Sequence, residues 1–243
     1  MAETNSANPT VALVHGAFAD AGSWAAVTER LLGTGVTVQA LVNPLRGVAT
    51  DSAYVASAIS QIPGPVLAVG HSYGGAVITN AATNTPNVVG LVYVAAFAPD
   101  EGEILGQIEG TSRDSALGSA LLPAQFPSGS GAETATELYV NPASFYEVFA
   151  RDLPETQAAV LGASQRPVAA SAFDEKSGVP AWKKLPSWAV VATGDKAAGA
   201  DVVLSMAKRA NADIVELEGS HVIMISQPQA VTDVILRALR SVG

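Results

Sequence analysis

Short apolar runs rich in valine recur along the chain, and segments of helical composition separate them. The apolar runs cover residues 10–16, 36–42, 65–70, 88–98, 187–194 and 213–219. Their hydrophobicity is continuous rather than alternating, which is typical of strands covered on both faces, as in a parallel sheet. Segments of helical length and propensity lie at residues 23–35, 51–62, 74–84, 201–212 and 228–243. This alternation predicts a doubly wound, mostly parallel α/β domain.

The alternation breaks between residues 99 and 186, where no clear strand run occurs. Aromatic residues cluster in this segment instead, at Phe126, Tyr139, Phe145, Tyr146, Phe149, Phe173 and Trp182. The pairs Asn141-Pro142 and Leu153-Pro154 are typical helix starts. The pattern predicts one α/β domain over residues 1–243, with 99–186 as a small helical lid inserted between two strands of the same sheet.

The candidate nucleophile is Ser72, at the corner between the third apolar run and the next helical segment. The corner reads G-H-S-Y-G over residues 70–74, which is the G-x-S-x-G pattern between a strand and a helix that a nucleophile elbow requires. Such a turn strains the serine backbone and demands small neighbours. The serine oxygen is expected above the carboxyl end of the strand, where open α/β sheets bind ligands.

A serine hydroxyl needs a base at neutral pH, and the chain has three histidines. His71 adjoins Ser72, but successive residues of a sharp turn point in different directions, so we expect it to be a packed, hydrogen-bonded residue. His15 ends the first strand and is expected to shape the loop that follows. His221 lies in a loop between the last strand and the last helix, at the same edge of the sheet, and is the predicted base.

The acid that orients the base should follow the nucleophile and precede the histidine in this motif. Asp195 comes directly after the strand run 187–194 and is the preferred candidate. Asp100 ends the strand that follows the elbow helix and is the main alternative. Asp201 is better explained as a helix cap.

The oxyanion hole is expected to use backbone N–H groups. One comes from Tyr73, the residue after the nucleophile, and the other from the loop after the first strand, where Ala17 is the best donor by position and Phe18 the next. Apolar and aromatic residues near these groups are candidates for the substrate pocket. They are Phe18, Tyr73, Phe126, Phe145, Trp182 and Val222.

Composition narrows the possible partners. The chain carries a formal net charge of −9, with scattered Lys and Arg, so nucleic acid and anionic membranes are not expected partners. Cysteine is absent, which excludes a thiolate nucleophile. No metal site is predicted, and the polar segment MAETNSANPT at residues 1–10 does not look like a signal peptide. A cytoplasmic monomer or homodimer that acts on a small molecule is the expectation.

The motifs VHGAFADAGSW, GHSYGG, ATGDK and GSHVIMISQP, in this order, resemble the α/β-hydrolase superfamily over essentially the whole chain. The closest likeness is to the group with a compact lid that includes plant methyl esterases, hydroxynitrile lyases and bacterial esterase-like hydrolases. In such lyases a threonine follows the strand-end histidine, and a lysine follows the catalytic histidine. Here these positions hold Gly16 and Val222, so the resemblance favours hydrolysis. The acid loop lacks the proline that is common a few residues after the acid.

The resemblance and the residues together predict a carboxylesterase-type serine hydrolase for small to medium apolar substrates. It would work through an acyl-enzyme and need neither a metal nor an organic cofactor. The alternatives are a cofactor-free lyase or perhydrolase on the same triad, and a protein of the same fold that binds a small ligand without catalysis.

Overall fold

A computed structural model describes residues 9–129 and 131–243 of the chain. The strands are β1 (Thr10–Val14), β2 (Val38–Leu41), β3 (Val66–His71), β4 (Val88–Val94), β5 (Leu121–Pro127), β6 (Thr134–Val140), β7 (Val168–Ala169), β8 (Ser187–Ala192) and β9 (Asp213–Leu217). The helices are α1 (Ala25–Gly33), α2 (Val48–Ser60), α3 (Tyr73–Ala81), α4 (Leu105–Gly110), α5 (Leu117–Ala120), α6 (Pro142–Phe149), α7 (Glu155–Ala163), α8 (Ala200–Arg209), α9 (Ile223–Ser226) and α10 (Pro228–Val242).

The predicted parallel sheet is confirmed. Within the described residues, a six-stranded sheet has the order β2-β1-β3-β4-β8-β9, and every pairing in it is parallel. The inner strands β1, β3 and β8 are buried along their whole length, whereas the edge strands β2 and β9 are only partly buried. Burial on both faces accounts for the continuous hydrophobicity of the inner strands.

Helices cover the two faces of this sheet. The connection from β1 to β2 runs in the opposite direction along the sheet from the connection between β3 and β4. Crossovers between parallel strands are right-handed as a rule, so these opposite directions correspond to α1 and α3 on opposite faces. Helix α10 packs against α1 and on β4 and β8, while α2 packs against α3. Because the strands are parallel, the carboxyl ends of β1, β3 and β8 lie at one edge of the sheet.

The segment between β4 and β8 is not only helical. It contains α4 to α7, as expected, but β5, β6 and β7 form an antiparallel three-stranded sheet that the sequence analysis did not predict. The strands β5 and β6 form a half-exposed surface hairpin, so they lack the continuous apolar pattern of the central strands. Pro123 and Pro127 also remove two N–H donors from β5, which suits only an edge strand.

Two further predictions concern membranes and the N-terminal segment. Among the described residues, the structure has no helix of sufficient length and hydrophobicity to span a lipid bilayer. Residues 1–8 of the polar N-terminal segment lie outside the described residues.

Candidate active site

Ser72 lies on the tight turn between β3 and α3, at the carboxyl edge of the sheet. Its backbone angles are φ 52° and ψ −125°, a left-handed conformation that is strained for any residue with a side chain. The turn is close-packed: a Cβ atom at Gly70 would lie 2.6 Å from the Gly74 oxygen, and one at Gly74 would lie 2.5 Å from the Val14 oxygen. The glycines of the motif are therefore required for the strand and the helix to meet.

His221 and Asp195 form a buried pair at the same edge. The Nδ1 atom of His221 lies 2.8 Å from Oδ2 of Asp195, and both side chains are 1% exposed. A carboxylate only accepts hydrogen bonds, so Nδ1 carries the proton and Nε2 is free to act as a base. The other oxygen of Asp195 accepts the N–H groups of Ala197 and Ala198, at 2.8 Å and 3.0 Å. These bonds hold the acid loop in place without a proline.

The other candidate acids have different partners. Asp100 forms a salt bridge with Lys183 at the surface, and this contact lowers the pKa of Asp100. Asp201 accepts hydrogen bonds from the Ser112 hydroxyl and the Arg113 backbone. Asp201 lies in the first turn of α8, whose cap residue is Gly199. Neither carboxylate is bonded to a histidine.

His71 supports the main chain of the predicted base. Its Nε2 donates to the backbone oxygen of His221 at 3.0 Å, and the two rings lie 4.6 Å apart between centroids. Since that oxygen can only accept, Nε2 of His71 carries a proton, and burial favours the neutral ring because it lowers the pKa of His71 well below its usual value. His15 accepts the Asn43 N–H on Nε2 at 3.0 Å, while Asn43 donates from its side chain to the His15 oxygen. Both histidines are thus fully buried structural residues.

These neutral histidines predict a loss of stability in weak acid. Burial lowers the pKa of His15 and, much further, the pKa of His71. The unfolded chain therefore binds more protons than the folded chain below about pH 6.5, the ordinary histidine pKa. The stability that these residues contribute is complete above that pH. As the pH falls further, the free energy of unfolding should drop by up to about 1.4 kcal/mol per pH unit for each histidine.

Urea unfolding at pH 7.5, 6.5 and 5.5 measures this slope, and His71→Gln should flatten it. Burial raises the pKa of Asp51, so this carboxyl binds a proton more readily in the folded chain and partly offsets the loss. A free energy of unfolding that is constant or rises from pH 7.5 to 5.5, or an unchanged slope in His71→Gln, contradicts the expectation.

The structure separates the candidate donors of the oxyanion hole. The Phe18 N–H donates to the Arg166 oxygen of the lid at 3.1 Å, so it is already engaged. Within residues 9–129 and 131–243, the N–H groups of Ala17 and Tyr73 have no backbone acceptor. A Cβ atom at Gly16 would lie 2.7 Å from Cβ of Ser72, which shows how closely this loop approaches the elbow. Ala17 and Tyr73 are therefore the available donors.

A cleft of about 270 Å³ opens on the side of Phe149 and Val222, two residues next to His221, and we call it the side cleft. Its wall is formed by the loop after β1, the start of α1, helices α6 and α7, and the segment after His221. Three of the predicted pocket residues, Phe18, Phe145 and Val222, line it. Phe149, which was not predicted, also lines it, and its ring lies 4.7 Å from the His221 ring, edge to face.

The other three predicted pocket residues do not line the side cleft. The hydroxyl of Tyr73 donates to Asp51 at 2.8 Å. Phe126 lies on the lid hairpin, and the guanidinium carbon of Arg46 is 4.4 Å from the centroid of its ring. The indole of Trp182 donates to the Pro99 oxygen at 3.0 Å. Each of these polar or cationic partners fixes its aromatic ring away from the side cleft.

The lid is hydrogen-bonded to both loops that carry the His–Asp pair, which sequence reasoning missed. In the acid loop, the Ala116 N–H donates to the backbone oxygen of Lys196 at 2.8 Å. The Ser115 hydroxyl donates to the backbone oxygen of Ala197 at 2.9 Å. In the histidine loop, the Asp152 carboxylate accepts hydrogen bonds from the Ser220 N–H at 2.8 Å and from the Ser226 hydroxyl at 2.7 Å. We call these two sets of bonds the lid ties. No local sequence pattern marks them, because each tie joins distant parts of the chain.

A sequence model of a protein family matches the part of the chain that forms this site. The model described as "Alpha/beta hydrolase family" matches residues 11–234, which include the elbow and both loops of the His–Asp pair. The chain belongs to the alpha/beta hydrolase family. No curated protein is detectably similar in sequence.

Solved structures of alpha/beta hydrolase type share the fold over nearly the whole chain. Polyneuridine aldehyde esterase has a TM-score of 0.79 at 19% identity, over 96% of this chain and 99% of its own. Tomato methylketone synthase I, complexed with 2-tridecanone, has a TM-score of 0.77 at 20% identity, over 98% and 100%. The pyrethroid hydrolase PytH has a TM-score of 0.77 at 21% identity, over 96% and 98%. At such identities the likeness shows the fold, while the reaction must be argued from the site.

Proposed function

We propose that this protein is a serine hydrolase that cleaves carboxylic esters of small to medium apolar substrates, with Ser72, His221 and Asp195 as its triad. The observation that carries the proposal is the conjunction at one sheet edge of a strained serine and a buried His–Asp pair. Ser72 has φ 52°, and the pair is joined at 2.8 Å. Strain at a serine on an elbow is a recurring feature of nucleophilic sites.

The mechanism follows from the hydrogen bonds. Oγ of Ser72 attacks the ester carbonyl carbon, and its proton passes to Nε2 of His221. The resulting oxyanion accepts the N–H groups of Ala17 and Tyr73, and the start of α3 adds a partial positive charge. His221 returns the proton to the leaving oxygen, which releases the alcohol and leaves Ser72 acylated. Water, deprotonated by His221, then attacks the acyl carbonyl, and His221 returns that proton to Oγ of Ser72 as the acid leaves.

Two positions support hydrolysis over cyanohydrin cleavage. A Cβ atom at residue 16 would lie 2.7 Å from Cβ of Ser72 and 2.8 Å from the His71 oxygen, so this loop has room only for glycine. Val222, directly after His221, is apolar and 2% exposed, and it offers no cation to a leaving cyanide. Both positions therefore lack the groups that the lyase alternative would use.

Two assays on the full chain test the proposal. The wild type is expected to hydrolyse p-nitrophenyl acetate or butyrate and to be labelled covalently by a fluorophosphonate, which reacts with activated serine. Ser72→Ala should abolish the labelling and the turnover. Labelling that persists in Ser72→Ala would refute the nucleophile. Binding of a small apolar ligand without any turnover, and with affinity unchanged in Ser72→Ala, would instead indicate a binding protein.

A further inference from the structure

We propose that the side cleft binds the alcohol part of the ester, that its occupant is a neutral apolar group, and that Phe149 controls access from the cleft to the reacting atoms. This inference rests on the proposed function, because it assigns a substrate part to the site around Ser72.

The inner end of the side cleft lies against the predicted base. Phe149 lines the cleft, and its ring stands at 69° to the His221 ring with 4.7 Å between centroids. Val222, the next residue after His221, belongs to the same wall. Phe18 completes this end and packs edge-on against Phe149 at 6.0 Å. The cleft therefore reaches the His221 side of the elbow.

Proton transfer decides which part of the substrate belongs on that side. His221 must donate a proton to the leaving oxygen, so the alcohol part has to lie next to the imidazole. The acyl part is the other substituent of the carbonyl carbon and stays bonded to Ser72 after the alcohol leaves. A cleft whose inner wall is built from His221 neighbours is consequently placed for the alcohol.

The lining sets the chemistry of the occupant. The wall is largely apolar, with Leu161 and Ile225 beside the phenylalanines. Among the described residues that form it, Asp20 alone is formally charged. A carboxylate in the alcohol part would meet this negative charge without a cation to balance it. The volume of about 270 Å³ is just below that of whole small-molecule sites, about 300–1,000 Å³, which suits one part of a substrate.

Phe149 stands between the cleft and the triad. Neither Ser72 nor His221 is part of the cleft wall, whereas Phe149 touches both spaces. The ring is 2% exposed and also packs on Phe145, at 4.9 Å between centroids. A bulky alcohol must therefore displace this ring to bring its ester bond to Ser72, while a methyl ester need not.

Two neighbouring residues of α7 offer a matched test. Leu161 lines the side cleft, whereas Val160 is 66% exposed and does not. Acid release is measured for methyl acetate, 2-phenylethyl acetate and methyl 3-phenylpropanoate, which enlarge the alcohol and acyl parts separately. Leu161→Trp should lower kcat/KM for 2-phenylethyl acetate, relative to methyl acetate, by at least about tenfold. The relative rate for methyl 3-phenylpropanoate should stay within about twofold, and Val160→Trp should change neither ratio.

Phe149→Ala widens the cleft, whereas Leu161→Trp narrows it. The inference can therefore be tested even if one of the two variants folds poorly. Removing the ring should raise the 2-phenylethyl ratio, and taking ratios to methyl acetate cancels any general loss through His221. A fall in the acyl ratio of Leu161→Trp would assign the cleft to the acid part and overturn the inference. Ratios unchanged in both variants would show that the cleft is unused. Absence of wild-type hydrolysis and of fluorophosphonate labelling would instead refute the proposed function itself.

Discussion

Replacing His221 by alanine is expected to lower kcat for p-nitrophenyl acetate by about three to four orders of magnitude. The variant keeps Ser72 on its strained turn and keeps the N–H groups of Ala17 and Tyr73, but nothing then takes the serine proton. Some activity above the uncatalysed rate should survive, because the oxyanion donors still bind the developing charge. Steady-state kinetics, with circular dichroism to verify folding, measure the loss.

His71→Gln is the control for this variant. His71 is as buried as His221 and lies beside it, but it donates only to a backbone oxygen. An amide at position 71 can still donate a hydrogen bond, so we expect a loss of less than about tenfold. A His71→Gln variant as inactive as His221→Ala, or a His221→Ala variant near wild type, would contradict the assignment of the base.

Asp195→Asn is expected to cost about four orders of magnitude in kcat while leaving the fold intact. The amide can still accept the N–H groups of Ala197 and Ala198, so the acid loop keeps its main-chain contacts. Its NH₂ group, however, cannot accept from Nδ1 of His221, which favours the wrong tautomer and removes the stabilisation of the imidazolium. The fall should appear in kcat more than in KM.

Asp100→Asn serves as the matched control, because Asp100 is the other carboxylate that the sequence offers for this role. Asp100 pairs with Lys183 at the surface, and exposed ion pairs contribute little. Its substitution should leave kcat within about twofold of wild type. An inactive Asp100→Asn beside an active Asp195→Asn would reverse the assignment of the acid.

The central sheet and the elbow could be predicted from the sequence because their signals are local. Strands such as β3 are buried on both faces and therefore read as unbroken apolar runs. The elbow is a short motif whose glycines are required by contacts within the turn and with β1. Positions at the carboxyl ends of parallel strands follow from the topology, which is why residues as distant as Ser72 and His221 could be expected at one edge.

The lid and the pocket depended on contacts that sequence patterns do not carry. The hairpin of β5 and β6 is half-exposed, so it lacks an unbroken apolar run, and its prolines suggest loops. An aromatic residue is equally compatible with a pocket and with a polar partner elsewhere. Phe126 packs under Arg46 and Trp182 bonds to Pro99, while Phe149 faces His221. Only the three-dimensional arrangement distinguishes these environments.

The lid ties make the lid part of the framework that positions the His–Asp pair. Ser115 and Ala116 hold the acid loop, and Asp152 holds the histidine loop on both sides of His221. A rigid outward swing of the lid would break these bonds and release both loops at once. These bonds therefore favour a lid that stays docked on the two loops. In chimeras of this fold, a lid from another member would have to be transferred together with its acid and histidine loops.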